Sequence, residues 1–329
     1  MGPDVRPLTS GDQPQVDALL ARALRPAAPA GGAWTATPSG DVHHLLGLWR
    51  AGELVAAARL VGGARTRLRH VCDLTLAAAP GEDAGALWRA VVSFVDQWTP
   101  FDRIQLDLPA DEVTLDAGRE VGFEVEVRRR ARLADGRDEL ALGRLRPGWS
   151  PRAPGAPPPW PTRRPPSADV SLRLRPIAEG DEVAVHGLSV EPTSVWGTFQ
   201  TPTATPEFYA ARFHNTPPGH VVSLVEVDGV PAGLCGLHPT AHAGVVVIGM
   251  AISVHHQGCG LGRRVLDLLI EAALARGDRR IELGVFETNT RARALYERVG
   301  FVVEGLRRAD GIQAGGHTNS VEMALFADR

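Results

Sequence analysis

The sequence predicts an α/β protein built from two similar halves, on three observations. Residues 221–301 alternate apolar, strand-like runs with amphipathic, helix-like runs. Short stretches of the first half return in the same order in the second. Between the halves, residues 147–166 read PGWSPRAPGAPPPWPTRRPP and hold nine of the chain's 26 prolines. Such a segment lacks backbone donors and cannot hold a helix or a central strand, so it is expected to be an extended, semi-stiff linker. The expected domains are 1–146 and 170–329, with residues 147–169 between them.

A length of 329 residues fits about two domains. At 44% hydrophobic and 22% charged, the composition is globular. The first residues lack the basic start and apolar run of a signal peptide, and no stretch reaches the roughly 18 apolar residues of a spanning helix. The expected location is the cytoplasm, with no membrane partner. Cys72, Cys235 and Cys259 are scattered, without CxxC spacing, which argues against a disulfide framework and a zinc site. No metal is expected. A net charge of −3 gives no global reason to bind nucleic acid, and with Lys absent every strong cation is Arg. The abundance of Ala, Gly, Pro and Arg points to a GC-rich genome.

The repeat is collinear. RPLTSGD from Arg6 returns as RPIAEGD from Arg175, RIQL from Arg103 as RIEL from Arg280, and VGFEVE from Val121 as VGFVVE from Val299. A duplicated domain is the reading that explains all three.

In the second half, VVSLVEV and PAGLCGL flank Asp228-Gly229 and read as two strands around a hairpin turn. GVVVIGMAISV is a long apolar strand suited to burial on both faces. A helix follows, with Leu261, Val265, Leu268, Leu269 and Ala272 on its apolar face and Gly277 as its stop. Ile281, Leu283 and Val285 alternate as a strand, and Ala292, Leu295, Tyr296 and Val299 form a short amphipathic helix ending at Gly300. One more strand completes the order.

HHQGCGLGRR, residues 255–264, places three glycines on alternate positions between the long strand and the helix. A strand that enters a helix through such a loop aims unpaired N–H groups and the positive helix end at one point, an anion site whose usual occupant is phosphate. Arg263 and Arg264 offer added charge. A P-loop needs a Lys the chain does not have, and a dinucleotide fingerprint wants Gly where Arg263 stands.

Gln257-x-x-Gly260-x-Gly262, with VFETNTRARALYERVGF (residues 285–301) at the expected distance and RLRPIAEGD as an opening strand, resembles the GNAT superfamily of N-acetyltransferases. The likeness covers the chain from Leu172 onward. It implies two tandem domains, each with a mixed, mostly antiparallel central sheet flanked by helices, and acetyl-CoA or another acyl-CoA as cofactor. It also implies a cofactor site at Ile252, Ser253, Val254, Gln257, Gly258, Cys259, Gly260, Leu261, Gly262, Arg263, Asn289 and Tyr296. Main-chain groups near 252–254 would polarise the thioester. Tyr296 takes the position of the general acid that protonates the leaving thiolate; read from the residues alone it is a core tyrosine, as Asn289 is a helix N-cap. The general base is open among His238, Glu226, Glu287, His255 and water.

The acceptor is expected to be the primary amine of a small molecule. GTFQTP from Gly197 resembles the corresponding stretch of bacterial L-amino-acid N-acetyltransferases, and Trp196, Thr198, Gln200 and Phe213 are the candidate pocket residues. A solvent-facing loop is the alternative. In the first half, Pro80 to Gly85 align with the glycine loop. Gly81 and Gly85 survive as a possible second cofactor site, but Glu82 and Asp83 are poor company for a pyrophosphate. Asp111 stands for Asn289 and Gly118 for Tyr296, so the first half reads as degenerate. Tandem members such as mycothiol synthase, and those of actinobacterial antibiotic clusters including that for clavulanic acid, share the resemblance. The alternatives are a non-catalytic acyl-CoA-binding scaffold, or an acyltransferase acting on an antibiotic intermediate or a protein amine.

Overall fold

A computed structural model describes residues 4–23, 43–62, 68–110, 114–162 and 170–327. The chain divides into two compact units, Met1–Arg129 with Arg137–Ser150, and Arg130–Gly136 with Pro151–Arg329.

The first unit runs β1 (Asp4–Pro7), α1 (Gln13–Arg22), β2 (His43–Arg50), β3 (Glu53–Gly62), β4 (Val71–Ala78), α2 (Gly85–Trp98), β5 (Arg103–Pro109), α3 (Thr114–Glu120), β6 (Glu124–Arg129) and β7 (Glu139–Leu145). Its strand order is β1-β2-β3-β4-β5-β7-β6. All pairs are antiparallel except β4 with β5, which register over three residues, Val71↔Arg103 to Asp73↔Gln105. One apolar cluster joins α2 to the sheet through Leu74, Leu76, Leu87, Trp88, Leu106 and Leu108.

The second unit runs β8 (Leu172–Pro176), α4 (Glu182–Val190), α5 (Pro192–Gly197), α6 (Pro206–His214), β9 (Val221–Val227), β10 (Val230–Pro239), β11 (Val245–Ile252), α7 (Leu261–Ala275), β12 (Arg280–Phe286), α8 (Thr290–Val299), β13 (Val302–Gln313) and β14 (Gly316–Phe326). Its order, β8-β9-β10-β11-β12-β14-β13, repeats that of the first unit, and again a single pair, β11 with β12, is parallel. That pair registers only over Val245↔Arg280 to Val247↔Glu282. Beyond Val247 the two strands part.

Three details depart from the sequence reading. The long apolar strand is buried at its start, but Gly249 is exposed and Met250 and Ala251 are half-buried, because its later half borders the opening between the parted strands. Helix α7 buries Leu261, Val265, Leu266, Leu269 and Ala273 and exposes Leu268 and Ala272; its apolar stripe follows i, i+4 steps and so drifts from the predicted face. After α8 the chain makes two long strands, β13 and β14, instead of one.

The proline-rich segment also differs from a free linker. Residues 151–162 hold no helix or strand, yet they belong to the second unit and are tied to the β13–β14 turn. His317 N–H donates to the Arg152 carbonyl at 2.6 Å and Gly155 N–H to that of Ala314 at 3.2 Å. A Cβ on Gly316 would lie 2.1 Å from the Ala153 carbonyl oxygen, so only glycine admits this crossing.

Candidate active site

The parted strands β11 and β12 border a cavity of about 980 Å³, at the upper end of the range for small-molecule sites. Residues 248–252 line one side and residues 283–286 the other. Beyond the three registered pairs, the edge of β11 that would have faced β12 borders this cavity, which offers main-chain donors and acceptors to a ligand.

At one end lies the glycine loop. Gly260 is the N-cap of α7 and sits at φ 85°, a left-handed conformation that a side chain resists. Among the described residues no turn or side-chain hydrogen bond uses the N–H groups of Gly258, Cys259, Gly260, Leu261 or Gly262. These amides and the start of a 15-residue helix are the donors from which the loop's expected anion site would be built. Gln257, Gly258, Gly260, Gly262 and Arg263 line the cavity. Cys259 turns away, its Sγ bonded to the His256 carbonyl at 3.1 Å, and Leu261 is a core residue. Arg263 is paired with Asp267 at 2.8 Å, so its charge is partly spent within the helix.

The turn after β11 is not a free donor. Ser253 N–H donates to the Ala232 carbonyl at 2.8 Å and Val254 N–H to Glu191 at 2.9 Å, while Ser253 Oγ donates to Glu191 at 2.7 Å. Of the three positions expected to polarise a thioester, only Ile252 lines the cavity, and its carbonyl accepts from Gln257 Nε2 at 2.8 Å. The N–H groups of Ser253 and Val254 are thus engaged within the chain, while residues 248–252 line the cavity. Glu191, which holds this turn, was not legible beforehand.

Helix α8 spans the cavity from end to end. Its N-cap Asn289 accepts from Ala292 N–H at 3.3 Å and lies close to Gly197 of α5, while Leu295 approaches Gly262 of the glycine loop. Tyr296 also lines the cavity. Its ring leans on Phe301 at 5.9 Å, and no described residue gives its hydroxyl a hydrogen bond. Desolvation pushes its pKa up to about 12, so the proton stays on the oxygen through the neutral range.

None of the four candidate bases lines the cavity. Glu226 is paired with Arg175 at 2.8 Å, Glu287 accepts from Asn319 at 2.8 Å, His238 faces His220 at 3.2 Å, and His255 stands on the turn before the loop. Among the described residues no carboxylate or imidazole lines the cavity.

The far end is aromatic. Thr198 lines the cavity and caps its own turn, its hydroxyl donating to the Ser194 carbonyl at 2.7 Å. Trp196 is buried behind it, and Gln200 accepts from the Tyr209 hydroxyl at 3.0 Å, so neither is a lining residue. The Phe213 side chain and Asp111 lie outside the described residues. Sequence reasoning missed Phe199, Phe286 and Trp160, and the hydroxyls of Thr193 and Ser320, which line the cavity while buried without a partner.

At the corresponding place in the first unit, Asp83 Oδ1 accepts from Gly85 N–H at 2.8 Å and Glu82 is paired with Arg50 at 2.8 Å. A carboxylate of the chain thus sits at the start of α2. Trp88 is fully buried against Phe123 and lies 3.1 Å from where a Cβ on Gly118 would be.

Among the described residues no helix is long and apolar enough to cross a membrane. Residues 173–301 match the model of the Acetyltransferase (GNAT) family, so the second half carries a domain of that family. Over 92 residues the chain is 38% identical to a mycothiol acetyltransferase of Beutenbergia cavernae, a match that spans 27% of this chain and only 31% of that protein. It is 29% identical over 165 residues to the spermidine N(1)-acetyltransferase of Escherichia coli K12, covering 47% of this chain and 86% of that one. Solved structures with a similar fold include a spermidine N-acetyltransferase from Vibrio cholerae in complex with CoA and spermine, at 23% identity, TM-score 0.44, and coverage of 48% and 96%. A GCN5-related N-acetyltransferase from Kribbella flavida is similar at 25% identity, TM-score 0.41, and coverage of 47% and 97%.

Proposed function

We propose that the protein is an acyl-CoA-dependent N-acyltransferase whose second unit moves an acetyl group directly to the primary amine of a small molecule. The observation that carries this reading is the wedge between β11 and β12, with an unencumbered glycine loop at one end and the Tyr296 hydroxyl beside it. The donor set fits acetyl-CoA: the amides of 258–262 and the helix start suit a pyrophosphate, and the β11 edge at 248–252 suits the amides of a pantetheine arm. Acetyl-CoA supplies an acyl group activated as a thioester.

Tyr296 Oη would be the hydrogen-bond and proton donor to the thiol that such a cofactor releases. Burial keeps the proton on Tyr296 but also makes it a weaker acid than a thiol of parent pKa about 8.5, so the hydroxyl would stabilise a leaving thiolate by a hydrogen bond in preference to complete proton transfer. With no carboxylate or imidazole lining the cavity among the described residues, the amine would arrive as its free base and its surplus proton would leave to water. Glu191 is a positioning residue that fixes the turn at Ser253 and Val254.

The first unit is read as a degenerate copy of the same domain, with domains at about 1–146 and 170–329. Shared strand order and collinear repeats support the duplication. Asp83 at the start of α2 and Trp88 in the core argue that Gly81 and Gly85 hold no cofactor. A cytoplasmic location and a role in an actinobacterial biosynthetic cluster are consistent with the composition.

Native mass spectrometry with acetyl-CoA tests the reading. One bound molecule per chain, lost in Gly260→Glu and kept in Gly81→Glu, is the expected result. No binding by the wild type overturns it. Binding without turnover of any amine favours the scaffold alternative.

A further inference from the structure

We propose that Trp160, on the proline-rich segment, is a specificity-determining wall of the acceptor end, and that this end selects amines with an aromatic or apolar body and a single positive charge over polyamines. The inference rests on the acyltransfer reading above.

The first part is placement. Helix α8 orders the cavity: its Leu295 approaches the glycine loop, whereas Asn289 approaches Gly197. The glycine-loop end suits phosphate, so the opposite end, five or six residues earlier along the helix and roughly 8 Å away, is left for the acceptor. Trp160 lines this cavity, meets Trp196 edge to face at 5.6 Å and lies under the Arg291 guanidinium at 5.2 Å. Its arm is rigid. Residues 157–159 and 161 are prolines, which fix φ on both sides of the indole, and the same segment is tied to the β13–β14 turn at Arg152 and Gly155. The rotational freedom that a flexible wall would lose on binding is already absent.

The second part is charge. Among the described lining residues the charged groups are Arg263, Arg291 and Arg298, with no carboxylate; Arg263 and Arg298 lie towards the glycine-loop end of α8 and Arg291 towards the acceptor end. Asp267 answers Arg263, but Arg291 and Arg298 have no carboxylate partner among the described residues. An amine that enters as a free base brings no charge at its reacting end. A polyamine would bring further ammonium groups beside the Arg291 guanidinium, which lies towards the acceptor end and has no carboxylate partner among the described residues, and like charges so placed are repelled. The third part is hydrogen bonding. Thr193 Oγ1 and Ser320 Oγ are buried without partners and line the same cavity. Each buried hydroxyl without a partner is a cost that a polar group on a ligand would relieve. Aromatic walls with a few convergent hydroxyls suit a compact amphipathic amine.

The test compares 2-phenylethylamine, n-butylamine and spermidine as acceptors for the full-length protein, with acetyl-CoA affinity measured in parallel. The expected order in kcat/KM is 2-phenylethylamine, then n-butylamine, then spermidine, with about 100-fold between the first and the last. Trp160→Ala is expected to raise the KM for 2-phenylethylamine about tenfold, with acetyl-CoA affinity within about threefold of wild type, and Trp160→Phe to recover most of the loss. Arg291→Glu is expected to narrow the gap to spermidine by about tenfold. A preference for spermidine, or an unchanged KM in Trp160→Ala, overturns the inference while leaving acyltransfer standing. A Trp160→Ala protein that loses acetyl-CoA affinity in step with acceptor affinity also overturns it, since the indole would then only hold the fold. Failure of the wild type to bind acetyl-CoA, or to acetylate any of the three amines, overturns the underlying reading and the inference with it.

Discussion

In the second unit β11 and β12 part after three paired residues and the space between them is a cavity; in the first, β4 and β5 part after three and the residues that follow pack around Trp88. The frame is the same down to single interactions. Arg103 Nη1 donates to Glu126 at 3.0 Å and Arg280 Nη1 to Glu304 at 3.0 Å, and all four side chains are buried. What differs is a handful of side chains at one spot: Asp83 for Gly260, Trp88 for Val265, Gly118 for Tyr296. A sheet of this design keeps its stability whether or not the wedge is open, so chemistry resides in the lining and not in the fold.

The sharpest way to break this comparison is at the loops. Gly260→Glu forces a charged side chain onto a left-handed residue at the anion site, and acetyl-CoA affinity is expected to fall on the order of 10³-fold, read by calorimetry. Gly81→Glu, also at positive φ but with open space around it, is expected to leave affinity unchanged. An equal loss in both would mean that the halves share the work.

Next in size is the shared frame. Arg103→Met and Arg280→Met each remove the two-nitrogen guanidinium partner of a buried carboxylate, Glu126 or Glu304, and are expected to cost their own unit about 3–5 kcal/mol, measured by chemical denaturation. A large loss in one unit and none in the other would undo the equivalence. Tyr296→Phe is expected to lower kcat about 100-fold with acetyl-CoA affinity within about threefold. A drop in affinity instead would make Tyr296 a packing residue.

The pH profile follows from the same site. Because burial raises the Tyr296 pKa to about 12, the acid remains protonated, and among the described residues no carboxylate or imidazole lines the cavity. The quotient kcat/KM is expected to climb about tenfold per pH unit up to the acceptor's own pKa, with no fall below about pH 11. A plateau near pH 7 would reveal a base of the protein. The smallest effect is a matter of access: Cys72 and Cys235 are buried and their thiols held protonated, while Cys259 is half-buried on the glycine loop. Alkylation is expected at Cys259 first, slowed several-fold by acetyl-CoA. Equal slowing at Cys72 would place a ligand in the first unit.

Much of this was legible in the residues, for physical reasons. The alternate glycines at 258, 260 and 262 could serve only a bare backbone, and period-two and period-3.6 patterns located β12, α7 and α8 within a few residues. The acceptor end was not legible, because it is assembled from segments far apart in sequence. Trp160, Thr193 and Ser320 carry no local pattern, and a run such as PPPWP reads as a spacer until its tie to the β13–β14 turn is seen. Glu191 was hidden by its place between two short helices, where a carboxylate is ordinarily solvent-facing. The turn at Ser253 and Val254 failed as a donor because Ala232 and Glu191 had already taken its N–H groups, a long-range event that no spacing reveals.

Trp88 gives the molecule's history a direction. Removing Asp83 alone would clear the helix start while the indole still filled the core. Shrinking Trp88 alone would leave a cavity costing about 3–5 kcal/mol, a large share of what a domain has to lose. Neither change by itself returns any binding for selection to act on. On the proposed reading of the first unit as a degenerate copy, it is held by a ratchet: with the tryptophan in place, a working site is reached only through several coordinated changes at once.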